Sequence, residues 1–204
     1  MDDLLCSNGA ETTPPWPRPP DGGYTVEDLF TLPNLPPHTE LIDGSLVLAS
    51  RQNLFHSRVT DLLTAALRRT APPGLKVRRQ MTVILDRYNG TEPDVSVIRA
   101  AACTDLEQDR YEATDVTLAV EVVSPASRAR DHDSKPRKYA ASGIPHYWLV
   151  EMTGADNHVV ARTYELDPAS RTYAPSGFHR DRLKLSVPFT IDLDITLDAL
   201  KRRA

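Results

Sequence analysis

Glu121 lies inside the run VTLAVEVV, residues 116–123, with apolar neighbours on both sides. A carboxylate there is expensive to bury unless a cation, a proton or strong hydrogen-bond donors accompany it. Side chains alternate along a strand, so Glu121 shares a face with Thr117, Ala119 and Val123, and the small residues leave room beside it. Asp94 raises the same question. In EPDVSVIR it follows Pro93 at the mouth of a second strand-like run, with Val95 and Val97 turned to the opposite face. If the two runs are neighbouring strands, the carboxylates converge, and paired hard oxygen ligands are what Mg²⁺ or Mn²⁺ requires. The plainer alternative is that Asp94 caps a turn and Glu121 pairs with an arginine.

The next segment, SPASRARDHDSKPRKYAASG, brings a cation. Asp131, Lys135 and Tyr139 recur every four residues, one stripe if they lie on one helix. Pro136 is tolerated only in a first helical turn, which favours Asp133 as the N-cap and leaves Asp131 just outside. Lys135, near that helix start, could point its ammonium at the carboxylates and hold an attacking water or steady a phosphoryl oxygen. Its alternative is a solvated lysine. Tyr139, one turn on, packs, with its hydroxyl within reach of the site. His56 lies on the apolar face of an earlier helix, either as a hydrogen-bonded core histidine or as a pocket-lining one. Lys76, Arg78 and Arg79 on one strand, and Arg128, Arg130, Arg137 and Lys138 after Glu121, could meet a phosphate backbone. Equally, they are ordinary solvated charges interleaved with Asp131 and Asp133.

These residues need a scaffold, and the pattern supplies one. Residues 1–23 hold ETTPPWPRPPDGG, with five of the 17 prolines, and read as a flexible tail; residues 24–204 read as a single domain. Thr25 opens a short helix, TVEDLFTL, with Asp28 completing an approximate capping box. TELIDGSLVLA is a hairpin around Asp43-Gly44. Apolar residues at helical spacing predict a helix over 54–70, stopped by Pro72-Pro73-Gly74. Strands are expected at 75–86, 94–99 and 116–123, a helix over 133–142 ending at Gly143, a buried strand in HYWLVE, an antiparallel meander, and a terminal helix from about Thr196. The fold class is α/β (α+β), a mixed, mostly antiparallel sheet flanked by helices.

The ordered run TELIDG, NLFHSRVTDLL, EPDV and VEVVSPASRARDHDSKPRKYAASGIPHYWLVE resembles the Uma family of restriction endonucleases, whose fold is the PD-(D/E)XK nuclease core. The resemblance implies a metal-dependent phosphodiesterase site acting on DNA, with Asp94 in the PD position and Glu121 in the (D/E) position. The residue two after Glu121 is Val123 and not lysine, so the lysine role is carried to Lys135 on the following helix. Glu40 matches the family's early acidic position, as a further metal or water ligand, against the alternative of an exposed hairpin glutamate.

The formal charge of −4, from 28 acidic and 24 basic residues, removes the usual argument for a nucleic-acid binder, a strongly basic domain. A cluster of Asp94, Glu121 and Glu40 neutralised by a divalent cation reconciles the two. Two cysteines exclude a disulfide framework. Residues 1–20 lack the basic start and apolar run of a secretory signal, and no run suits a membrane helix, so a cytoplasmic setting without membrane association is expected. A homodimer is the simplest way to cut both strands of a duplex.

Overall fold

The computed structural model describes residues 18–48, 51–155 and 157–202. Asp43 and Gly44 take φ of 49° and 73°, the left-handed values a tight hairpin needs, and join β1 (Glu40–Ile42) to β2 (Ser45–Val47). Gly23 packs on this turn so closely that a Cβ there would stand 2.7 Å from the Gly44 carbonyl oxygen. The same oxygen accepts the Tyr24 N–H at 2.9 Å. Residues 20–23 therefore form a turn against the hairpin, whereas residues 1–17 of the expected tail lie outside the described residues. Helix α1 (Asp28–Thr31) is shorter than expected; Asp28 Oδ2 accepts both the N–H and the hydroxyl of Thr25.

Helix α2 (Leu54–Thr70) has the expected bounds. Asn53 caps it, its side chain accepting the His56 N–H at 2.9 Å. Val59, Leu62, Leu63, Ala66 and Leu67 form its buried stripe. The run expected as one strand over 75–86 is two. Gln80, at φ 48°, breaks it into β3 (Leu75–Arg78) and β4 (Thr82–Asp86), which enter different sheets. β5 (Asn89–Thr91) and β7 (Arg110–Glu112) lie outside the sequence expectation. Strands β1, β2, β4, β5 and β7 make a five-stranded sheet ordered β2-β1-β5-β4-β7.

The larger sheet is ordered β11-β10-β9-β8-β6-β3, with β6 (Val95–Arg99), β8 (Val116–Val122), β9 (His146–Thr153), β10 (His158–Asp167) and β11 (Thr172–Arg180). β12 (Arg182–Leu185) and β13 (Ile191–Asp194) pair separately, and α4 (Leu197–Lys201) follows, capped by the Thr196 side chain. Among the described residues only β4–β7 and β8–β9 are parallel pairs; the others are antiparallel. β8 is central, and its alternation divides the core. Leu118, Val120 and Val122 join the α2 stripe, whereas Ala119 and Val123 join Tyr139, Tyr147 and Ile144 on the other face. Glu121 points to that second face.

Helix α3 (Lys135–Ala141) starts later than expected and is entered through a π-helical turn, Arg130–Ser134. Asp133 is not its N-cap. The backbone is already helical at Ala129, and Asp133 pairs with Arg137. The Lys135 N–H reaches the Arg130 carbonyl five residues back, and this wide turn carries the helix into Pro136, which has no N–H to give. Among the described residues no helix is long and apolar enough to cross a membrane.

Candidate active site

A cleft of about 70 Å³ is lined by Glu40, His56, Asp94, Glu121, Arg130 and Lys135, among others. Glu40 comes from β1 of the smaller sheet, Asp94 immediately precedes β6, Glu121 is in β8, and Lys135 opens α3. The β6–β8 pairing sets Val95 opposite Val120, so Asp94 reaches the end of β8, where the Val122 N–H donates to its Oδ2 at 2.7 Å. Its Oδ1 lies 2.9 Å from His56 Nε2, so both carboxylate oxygens are fixed.

Lys135 Nζ stands 2.9 Å from Glu40 Oε1 and 3.0 Å from Glu121 Oε1. Tyr139 donates its hydroxyl to the same Glu121 oxygen at 2.5 Å, and the Glu92 N–H donates to Glu40 Oε1 at 2.9 Å. Glu121 is 3% exposed and Lys135 4%, so these charges have little water to screen them. Asp131, 1% exposed, adds a further carboxylate with Oδ1 at 3.8 Å from Lys135 Nζ and no hydrogen bond to either oxygen. Three buried carboxylates thus gather around one buried ammonium, with Asp94 beside Glu121 as a fourth negative group. The surplus of negative charge shows in the titration of every member that shifts. Burial pushes the Glu121 carboxyl well above its usual range against the pull of Lys135, with Asp131, Asp94 and Glu40 adding to the push. Burial raises Asp131 likewise. Burial alone would discharge Lys135, but Glu121, Glu40 and Asp131 outweigh it and hold the ammonium firmly charged. Tyr139 stays a proton donor, its pKa driven well up by burial and by Glu121.

The arginines and lysines divide differently. Arg130 lines the cleft, and its Nε is buried without a partner. Arg128 pairs instead with the buried Glu151 at 3.1 Å, and Lys138 with Asp43 of the hairpin turn at 2.5 Å. Arg78 bonds Tyr111 and Cys103, and Arg79 pairs with Asp61. Sequence reasoning placed Asp131 just outside the helix; the π-turn brings it in, and its four-residue spacing from Lys135 was the available signal. Glu151 was missed altogether. It closes the apolar run HYWLVE, a buried strand carboxylate of the same kind as Glu121 within VTLAVEVV, and it gathers Arg128, His132 and Arg162.

The donor chemistry suits a hard divalent cation: clustered carboxylates in excess of the positive charge, one with both oxygens unbonded. Among the described residues no three His, Cys, Asp or Glu stand ready to hold an ion together. Lys135 is the group that now bridges Glu40 and Glu121.

Comparison with known proteins bears on the family and the fold. A family model described as "Putative restriction endonuclease" matches residues 26–198. None of the curated proteins matches the chain. Among solved structures, the fold is similar to that of "a putative nuclease belonging to DUF820 from Anabaena variabilis ATCC 29413", with a TM-score of 0.65 at 15% identity, covering 86% of this chain and 96% of that one.

Proposed function

This chain belongs to the Uma2 family of restriction endonucleases, and from that premise we propose that it is a metal-dependent endonuclease hydrolysing phosphodiester bonds in DNA. The observation that carries the reading is the convergence of Glu40, Asp94, Glu121 and Lys135 on one cleft. Asp94 and Glu121, with Glu40, are the residues to hold Mg²⁺ or Mn²⁺. When bound, the ion supplies a Lewis acid that acidifies water and neutralises charge developing on the phosphate.

The chain's own residues do the rest. Lys135 keeps its proton, so it acts as a fixed positive charge toward the phosphoryl oxygens or a held water, and not as a base. His56 and the Val122 N–H orient Asp94, and Tyr139 orients Glu121. Arg130, with its free Nε, is the phosphate-facing cation, while Arg128 and Lys138 are committed to Glu151 and Asp43. The domain expected over residues 24–204 takes in the turn at residues 20–23 as well, and a symmetric pair of chains would place one such cleft on each strand of a duplex.

The test is cleavage of single-stranded and duplex DNA with and without Mg²⁺. Glu121→Gln should abolish the metal-dependent activity and leave the circular dichroism spectrum unchanged. Failure of the unaltered protein to cut any nucleic acid with either metal refutes the reading. The small volume of the cleft, about 70 Å³, favours one second reading, hydrolysis of a small phosphoester. A chromogenic thymidine phosphodiester, cleaved where DNA is not, would select it.

A further inference from the structure

A second cavity, of about 400 Å³, opens between the π-turn with α3 and strands β9, β10 and β11. No residue lines both this cavity and the cleft. Its size falls in the range of small-molecule sites and is far above a packing defect, since protein interiors seldom leave voids larger than a water. Three tyrosines form its aromatic wall. Tyr147 and Tyr173 stack with centroids 5.6 Å apart and planes at 19°, and Tyr164 lies 5.8 Å from Tyr147. Two hydroxyls are already satisfied: Tyr147 donates to the Asp131 carbonyl and Tyr173 to the Ile144 carbonyl. Tyr147 is buried at the back of the wall, and the half-buried rings of Tyr164 and Tyr173 are the ones that offer the cavity π-surface.

The polar groups around that wall are few and of two kinds. Arg137 and Arg171 are exposed lining residues; Arg137 is tied to Asp133, but Arg171 has no ion-pair partner among the described residues. Asp131 also lines the cavity, buried, with neither carboxylate oxygen accepting a hydrogen bond. A ligand that satisfies all three features is flat and aromatic, carries N–H donors, and bears an anionic group. We propose that this cavity is a nucleotide-binding site: the base stacks on Tyr164 and Tyr173, its N–H groups face Asp131, and its phosphate meets Arg171. Asp131 would join it to the cleft, because the same side chain stands 3.8 Å from Lys135. The inference does not rest on the nuclease reading, since a chain that cuts nothing would still bind a nucleotide here.

The experiment is calorimetric titration of the full chain, in EDTA so that nothing is cleaved, with 5′-mononucleotides, the matching nucleosides, inorganic phosphate and a short single-stranded oligonucleotide. At least one mononucleotide should bind saturably and more tightly than its nucleoside. Tyr164→Ala should weaken it about ten-fold, the scale of one lost stacking contact. Tyr164→Leu, which keeps the packed volume, should weaken it too. Arg171→Ala, on an exposed turn, should erase the advantage of nucleotide over nucleoside. Binding of the oligonucleotide alone, still lost in Tyr164→Ala, assigns the site to a base of the nucleic-acid strand and not to a free nucleotide. Absence of saturable binding by any of these ligands overturns the proposal, as does binding that all three variants leave unchanged.

Discussion

Replacing Lys135 by methionine tests whether the ammonium holds the carboxylate cluster together. Methionine keeps the length of the side chain and removes only the charge. At 2.9 and 3.0 Å from Glu40 and Glu121, each attraction is worth about 5 kcal/mol at an effective dielectric of about 20. The ammonium's desolvation offsets several kcal/mol of that, and breaking a buried pair costs a net of about 3–5 kcal/mol. With two close carboxylates left behind, the upper end applies. A domain of this size loses about 2–4 °C per kcal/mol, so Tm should fall by about 10–20 °C. The loss must depend on pH. Glu121 and Asp131 already sit above their ordinary values through burial, and removing Lys135 raises Glu121 further. A carboxyl whose pKa is raised in the folded state contributes stability that is full below its unfolded value, near 4.5 for Glu121, and is lost as pH rises through the folded value. The deficit of Lys135→Met relative to the unaltered chain should therefore be small near pH 5 and large near pH 8. Urea unfolding at both pH values measures it. A deficit below about 1 kcal/mol at pH 8, the size of an exposed ion pair, or one that does not change with pH, refutes this account of the cluster.

Tyr139→Phe removes the hydroxyl that donates to Glu121 at 2.5 Å in a buried setting; it should cost about 1.5–3 kcal/mol by urea unfolding, the range for a hydrogen bond to a charged group. Glu151→Gln should release Arg128 and His132 together, seen as faster amide hydrogen exchange over residues 127–132, with the rest of β9 unaffected. Leu63→Ala, fully buried in the α2 stripe, should cost about 2–5 kcal/mol and leave metal binding intact. Mg²⁺ at 100 times its Kd should stabilise the unaltered chain by about 2.7 kcal/mol in thermal denaturation, and this gain should vanish in Glu121→Gln.

Local pattern made much of the scaffold legible. Val59 through Leu67, stopped by Pro72-Pro73-Gly74, defined α2 because periodicity and its breakers are local, while the Asn53 cap came only with the structure. Asp43-Gly44 defined the hairpin for the same reason. Glu121 and Asp94 stood out because a carboxylate beside apolar residues demands an explanation wherever the chain goes. β5 and β7 did not, since three residues carry no alternation, and although β5 folds back on the adjacent β4, its pairing with β1 and that of β7 with β4 join segments far apart in the chain. The partition of basic residues was equally hidden. Nothing near Lys138 announces that it pairs with Asp43, 95 residues away, or that Arg128 is held by a glutamate on another strand. The site's acidic surplus was underestimated through one position. Pro136 argued for a helix start that excluded Asp131, and the π-turn admits both.

Glu40 and Glu121 belong to different sheets and meet only at the Lys135 ammonium. Tolerance to insertion should accordingly be uneven around the chain. β1, which carries Glu40, is held by β5 and through it by β4, and a residue added within β4 or β5 should shift Glu40 away from Lys135. The β10–β11 turn and the exposed segment around Leu106 touch neither half of that junction. They are the places where lengthening or tagging the chain should leave the three-way contact undisturbed.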